Sequence, residues 1–226
     1  MNKYSIIIPI HNEIFYIQIL LDSLESYIQN GHEVIIIDDG STDGSTQVLK
    51  KNELINLITL KNNKGKGFAI KQGLKEALNN KIIIYDGDME LNPLDISKLM
   101  ILDNKKNIGS VMGYRFNSLS PLKSNFDWGN FMFTTFFNIM FNSHHKDVLC
   151  CAKAFYLDSI NNYSIKSDGF DIDAELTSIL SILRNKKTIL QIALKYNRRT
   201  FEEGKKLKVS DGWIILSKII QMIKYL

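Results

Sequence analysis

Along the first hundred residues, short runs of consecutive apolar positions alternate with stretches in which apolar residues return every three or four places. Ser5-Ile6-Ile7-Ile8-Pro9-Ile10 has the continuous β-branched character of a strand covered on both faces. Behind it, Ile14, Ile17, Leu20, Leu21, Leu24 and Ile28 recur at helical spacing. Glu33-Val34-Ile35-Ile36-Ile37 reads as a second strand, residues 46–54 as a second helix and residues 57–60 as a third strand. Residues 68–78 predict a helix with Ile70, Leu74, Ala77 and Leu78 on one side, and Lys81-Ile82-Ile83-Ile84-Tyr85 a fourth strand. Asn92-Pro93 marks the next helix start, with proline at its first position. This alternation predicts an α/β domain: a Rossmann-like, mostly parallel sheet with helices on both faces.

The second half is less regular. Residues 109–113 fit a strand, residues 169–183 a helix and residues 188–194 another strand. Residues 126–141 are aromatic-rich, holding Phe126, Trp128, Phe131, Phe133, Phe136, Phe137 and Phe141. At the end, Ile214, Ile215, Ile219, Ile220 and Ile223, with Lys218 and Lys224, form an amphipathic helical pattern. Such a helix fits either a membrane surface or the protein's own core. No repeat or interdomain linker interrupts residues 1–226, so a single domain is expected.

Composition narrows the class. With 226 residues, 45% apolar and 23% charged, the chain is that of a folded protein and not a disordered one. No run approaches the eighteen or so apolar residues of a spanning helix, and the start lacks a signal peptide's basic flank and cleavage site. Cytoplasmic residence is the expectation. The adjacent Cys150 and Cys151 suit small core residues better than a metal site with His144 and His145. A net charge of +4 gives no reason to expect nucleic acid. Yet Lys195, Arg198, Arg199, Lys205, Lys206 and Lys208 crowd one stretch, which suggests phosphate groups or a membrane surface, peripherally contacted, as partner.

Ligands of open parallel sheets gather beyond the carboxyl ends of the strands. Three strands deliver polar clusters to that edge. The first ends in Pro9-Ile10-His11-Asn12-Glu13, the second in Asp38-Asp39-Gly40-Ser41-Thr42-Asp43-Gly44-Ser45, and the fourth in Asp86-Gly87-Asp88-Met89-Glu90. Asp43 with Thr46 is a helix-capping pattern, whereas Asp39, in the acid pair that follows four apolar residues, can accept hydrogen bonds from a base or ribose. Asp86, Asp88 and Glu90 alternate; in an extended segment they would share one face and surround a hard cation such as Mg²⁺ or Mn²⁺. Gly87 would let the backbone come close to a ligand.

These residues resemble the family 2 glycosyltransferases with the GT-A fold. Ile37-Asp38-Asp39-Gly40-Ser41-Thr42-Asp43, Asn62-Asn63-Lys64-Gly65-Lys66-Gly67 and Asp86-Gly87-Asp88 are similar to that family's second motif, glycine-rich link and metal motif. Met112-Gly113-Tyr114-Arg115-Phe116, Cys151-Ala152-Lys153-Ala154-Phe155, Gly169-Phe170-Asp171-Ile172-Asp173-Ala174-Glu175-Leu176 and Arg199-Thr200-Phe201-Glu202-Glu203-Gly204-Lys205-Lys206-Leu207 resemble the dolichyl-phosphate mannose synthase and polyprenyl-phosphate group. The resemblance implies a nucleotide-sugar-binding half over residues 1–115 and an acceptor-side half over 116–226. It implies that Pro9, His11, Glu13 and Asp39 contact the nucleoside of a UDP- or GDP-sugar, and that Asp86 and Gly87 approach ribose and phosphates. Asp88 and Glu90 would ligate Mg²⁺ or Mn²⁺, and Arg115, Arg199 and Lys205 would engage phosphates. The reaction would be an inverting transfer to a polyprenyl phosphate. A saccharide hydroxyl acceptor would instead need a base, for which Asp171 and Asp173 are the candidates; a non-catalytic nucleotide-binding homologue is the rival outside enzymes.

Overall fold

In the computed structural model, the described residues are 3–115, 125–184, 187–200, 206 and 210–226. Strands β1 (Ser5–Ile10), β2 (Glu33–Asp38), β3 (Asn56–Thr59), β4 (Lys81–Ile84), β5 (Ile108–Tyr114), β6 (Lys153–Tyr156) and β7 (Thr188–Ala193) form one sheet in the order β3-β2-β1-β4-β6-β5-β7. All neighbours are parallel except β6, which runs antiparallel between β4 and β5. The predicted alternation holds for the first four strands, and the sheet is mostly parallel as expected.

Helices cover both faces. Helices α1 (Ile17–Gln29), α2 (Ser45–Leu49) and α4 (Ile96–Leu99) pack with Ile6, Ile8, Ile36 and Ile83 in one core layer. On the other side, α3 (Lys66–Glu76), α5 (Asn125–Met140), α7 (Ile172–Leu183) and α8 (Asp211–Met222) pack with Ile7, Ile35, Ile37, Ile82 and Ile84. Successive isoleucines thus serve opposite layers, as the two-residue period of a strand requires. A short α6 (Leu157–Ile160) follows β6.

Three local expectations change. Helix α2 is five residues long and not nine, because beyond Leu49 the chain turns to Lys50-Lys51-Asn52 and has no apolar face to bury. Asn92 does cap as predicted, its side chain accepting from Leu94 N–H with Pro93 at the first position, though the first turn is 3₁₀. Strand β6 was not evident in the sequence, since its first residue is Lys153; that lysine is nonetheless fully buried. Cys150 and Cys151 are free and buried in the core.

The aromatic segment forms helix α5; its Phe137 and the Phe141 that follows the helix end are buried, with ring centroids stacked 4.1 Å apart. The last helix, α8, is two-sided. Ile215, Ile219 and Met222 enter the core, while Trp213, Ile214 and Ile220 are exposed. No helix of the described residues is long and apolar enough to cross a membrane.

Candidate active site

A cleft of about 1590 Å³ opens at the carboxyl edge of β1, β2 and β4, where the three polar clusters converge. Pro9, His11, Glu13, Asp39, Asp86, Gly87, Asp88, Glu90, Arg115, Asp173 and Arg199 all line it. Eleven of the thirteen expected site residues therefore meet in one space. Of the other two, Lys205 lies outside the described residues, and Asp171 faces elsewhere.

Asp39, only 3% exposed, accepts hydrogen bonds from the backbone N–H of Lys64 at 2.7 Å and of Gly65 at 2.8 Å. It fastens the glycine-rich link over the end of β2 while remaining at the cleft wall. Gly65 is required there: its φ is +98°, and a Cβ would stand 2.3 Å from the carbonyl oxygen of Asp168. Asp43 plays the structural part expected of it, but not as a cap. It accepts from Ser45 N–H at 2.9 Å and from Ile14 N–H at 2.9 Å, tying the second cluster to the first.

The fourth cluster departs from the extended geometry that the alternation of acids suggested. β4 ends at Ile84 and the chain bends, with Met89 at φ +61° and the Glu90 N–H donating to Asp88 Oδ1 at 3.0 Å. The bend, and not a shared strand face, brings Asp86, Asp88 and Glu90 to the cleft. Gly87 also has a different reason from the one expected. A Cβ on it would lie 2.5 Å from Ile10 Cγ2 and 3.0 Å from Ile8 Cγ2, so glycine lets this segment close on β1 and not on a ligand.

The electrostatics are uneven. Burial, with Asp86 and Glu90 close by, lifts the Asp88 carboxyl from its ordinary 3.8 to about 7. Burial also opposes ionisation of Asp86, but the Lys66 ammonium beside it outweighs this and holds the carboxyl low. Lys66, at the start of α3, reaches Asp86 at 2.9 Å and Asp173 at 2.9 Å. Glu13, 2% exposed, pairs with Arg199 at 2.7 Å and with Lys206. Arg199 also donates to the Asp88 carbonyl at 3.1 Å, and its own N–H donates to Glu90 Oε1 at 3.1 Å. Arg115 is gripped by the buried Asp147, through Nε at 2.7 Å and Nη2 at 2.9 Å, and its guanidinium lies over the Tyr196 ring.

Among the described residues no trio of His, Cys, Asp or Glu gathers as a complete metal cage. That is compatible with Mg²⁺ or Mn²⁺, which bind through one or two carboxylates and complete their shell with water and substrate phosphates. Asp88, crowded by like charges, and Glu90 beside it fit such an ion, because a cation relieves the repulsion that raises Asp88.

Asp171 and Asp173 part company because two residues turn a helix by about 200°. Asp173 faces the cleft. Asp171 accepts from Ser167 Oγ at 2.5 Å, lies 3.6 Å from Lys218 of α8, and borders a separate hollow with Trp213 and Ser217. Asp171 is thus not among the residues that meet in the cleft: it ties α7 to α8. The sequence reading placed Lys66 only in the glycine-rich link, outside the expected site residues, and passed over Asp147. Both were legible only as a loop lysine and an isolated acid, since their partners are 20 and 32 residues away.

Beyond the charged end, the cleft continues between α5 and α8, lined by Trp128, Met132, Phe133, Phe136, Trp213, Leu216 and Ile220. One cleft thus joins an acidic, cation-laced end to an apolar trough. Comparison with known proteins decides what scaffold this is. The family model of glycosyl transferase family 2 matches residues 5–164. The chain belongs to that family. The human dolichyl-phosphate beta-glucosyltransferase is 31% identical over 111 residues, covering 43% of this family 2 chain and 34% of the human protein. Glycosyltransferase AglJ of Haloferax volcanii is 24% identical over 223 residues, covering 97% of this chain and 71% of AglJ. Relative to the human enzyme, then, the match takes in about a third of the length. The glucosyl-3-phosphoglycerate synthase of Mycobacterium tuberculosis, solved with Mn²⁺, UDP and glucosyl-3-phosphoglycerate, superimposes with a TM-score of 0.75 at 14% identity. The match covers 98% of this chain and 80% of that one, and confirms the GT-A fold.

Proposed function

We propose that this family 2 domain transfers a glycosyl unit from a nucleoside-diphosphate sugar to a polyprenyl phosphate, with inversion at the anomeric carbon. The observation that carries this reading is the continuity of the cleft from the Asp86–Glu90 bend to the apolar trough between α5 and α8. A nucleotide-sugar fits the polar end, and a prenyl chain is the kind of acceptor that gains from an apolar trough. The names of the human relative and of the mycobacterial complex, with their dolichyl phosphate, UDP and Mn²⁺, support both halves.

In the reaction, a bond forms between an acceptor oxygen and the anomeric carbon as the bond from that carbon to the diphosphate oxygen breaks. Asp88 and Glu90 would hold the divalent ion, which when bound supplies Lewis-acid stabilisation of the departing diphosphate. Arg199 and Arg115 add fixed positive charge at the same end, and Lys205 is assigned the same task. Pro9, His11 and Asp39 would border the nucleoside. The acceptor side favours a phosphate. The cleft carboxylates Glu13, Asp39, Asp86 and Asp173 all hold cations or backbone N–H groups, and a phosphate oxygen is already anionic and needs no base. The exposed Trp128, Trp213 and Ile220 at the trough would bring the domain into peripheral contact with an anionic membrane surface.

The test supplies UDP-, GDP- and dTDP-sugars with Mn²⁺ and either a polyprenyl phosphate or an oligosaccharide. A lipid-linked sugar with release of nucleoside diphosphate is expected. Label on the oligosaccharide would replace the acceptor, and donor binding without turnover of either would point to a non-catalytic homologue. Flotation with anionic liposomes tests the membrane contact; protein left at the bottom removes it.

A further inference from the structure

Four charged side chains alternate in sign from the interior to the cleft. Lys153, in the first position of β6, is fully buried; its ammonium donates to the Cys150 carbonyl and lies 3.8 Å from Asp173 Oδ1. Asp173 Oδ2 meets Lys66 Nζ at 2.9 Å, and the same Nζ stands 2.9 and 3.0 Å from the two oxygens of Asp86. Side-chain exposure rises along the series, from 0% at Lys153 through 7% at Asp173 and 11% at Lys66 to 25% at Asp86. An enclosed lysine with a single carbonyl acceptor is costly unless an anion balances it. Here the balancing anion is the very residue that holds the next lysine.

We infer that Asp173 is a positioning residue, and that Lys153, Asp173 and Lys66 form a relay that fixes the Asp86 carboxylate for the donor. This rests on the reading of the cleft as a nucleotide-sugar site. A base must present an oxygen to the acceptor. Asp173 Oδ1 is buried without a hydrogen bond, and Oδ2 is engaged by Lys66. Its geometry serves Lys66 instead. Asp173 anchors the Lys66 ammonium where it meets both oxygens of Asp86; without Asp173 the ammonium loses one of its two anchors and the Asp86 carboxylate its fixed orientation. Among the described residues, Lys153 is linked to the cleft lining through its ion pair with Asp173 and does not itself line the cleft, which makes it the discriminating position.

The experiment compares wild type, Asp173→Asn, Lys153→Met and the double variant. Mn²⁺ alone and UDP-glucose with Mn²⁺ are titrated calorimetrically, and kcat and KM are followed across pH. Asp173→Asn is expected to weaken UDP-glucose about tenfold and Lys153→Met about threefold, the size of coupling between groups in one network, while Mn²⁺ alone, assigned to Asp88 and Glu90, binds as in wild type. The effects should be less than additive in the double variant, whose buried charges are again balanced. The pH profile should keep its shape. If Asp173→Asn instead lowers kcat by about 10²–10⁴-fold, removes the acidic limb and leaves ligand binding intact, Asp173 is a base and the relay is wrong. Should Lys153→Met fail to fold, the double variant still decides, because it lacks the unbalanced charge; wild-type affinity for UDP-glucose in it would overturn the proposal. A wild type that binds Mn²⁺ but none of the nucleotide-sugars would sink the functional reading; a wild type that binds donor, with both single variants and the double variant binding it equally, would sink the relay alone.

Discussion

At the sheet edge of the cleft, Glu13, Asp86 and Asp173 each meet a cation, whereas between α5 and α8 Trp128, Met132, Trp213 and Ile220 turn apolar surface outward. The first end is held by paired charges in partly buried surroundings, where attraction is strong but a lost partner leaves a costly orphan. The second carries exposed side chains that contribute little to the fold and gain only when something covers them. The polar end should therefore be sensitive to single substitutions in both stability and ligand binding, and the apolar end in binding alone.

Asp88→Asn should break that contrast most severely, because its two effects have opposite signs. Loss of one charge-stabilising group should lower kcat/KM by about 3–4 kcal/mol, roughly 10²–10³-fold. Stability of the metal-free protein should move the other way. The Asp88 carboxyl is raised to about 7 in the folded chain against 3.8 ordinarily. Its favourable contribution is thus complete below the unfolded value and is lost as pH rises through about 7. Asparagine removes that loss, so without metal the variant should melt higher than wild type at pH 8 and equally at pH 4. Melting curves at both values, and steady-state kinetics with Mn²⁺, check the pair; a variant less stable at pH 8 would mean Asp88 is not frustrated.

A control for this lies in the core behind α5. His145 is buried against Phe137, its Nε2 2.7 Å from Ser181 Oγ, and burial, helped by Lys153 and Arg184, pushes it from 6.5 down to about 4. Here the folded value is depressed. Stability is fully present above pH 6.5 and is lost as pH falls towards 4, by up to about 3 kcal/mol. Denaturant midpoints of wild type should fall between pH 7 and pH 4.5, and those of His145→Asn should fall less. Equal slopes would place the acid sensitivity elsewhere, with the cleft carboxylates first in line.

Gly65→Ala probes the wall of the polar end. A methyl group at φ +98° and 2.3 Å from a backbone oxygen should cost about 2–3 kcal/mol, seen as a lower denaturation midpoint. It should also weaken donor binding, since the backbone N–H of Gly65 holds Asp39. Unchanged stability would show that the contact with Asp168 yields easily.

How far the sequence disclosed all this follows from the range of the interactions. The isoleucine runs of β1, β2 and β4 and the periodicity of α1 and α3 are local, and they announced the sheet and its edge. The meeting of Pro9, Asp39 and Asp86 in one cleft followed from topology, because parallel strands share a carboxyl end. Pairing over a distance did not show. Lys153 heads a buried strand with the Cys150 carbonyl as acceptor and Asp173 3.8 Å away, and a lysine at that place in a sequence argues against burial. Alternation of Asp86, Asp88 and Glu90 suggested a shared strand face, yet the left-handed Met89 delivers them by a bend. Asp171 and Asp173 looked equivalent until helix geometry sent them to different sides.

The smallest effects belong to the apolar end, and they sharpen the comparison by being selective. Trp128 and Trp213 are 54% and 75% exposed, so alanine at either should change stability by no more than about 0.5 kcal/mol. If a prenyl chain lies in the trough, covering part of an indole at about 25 cal/mol per Å² gives each tryptophan about 1 kcal/mol of acceptor binding. That is a fivefold rise in KM, to order of magnitude, for a long polyprenyl phosphate. For an acceptor too short to reach α8, and for the nucleotide-sugar, KM should hold steady. Kinetics with the short and long acceptors side by side separate two explanations that stability measurements cannot. A rise confined to the long chain places the chain between α5 and α8; an equal rise for both would mean that the tryptophans act on the polar end, and that the cleft is not divided as its surface suggests.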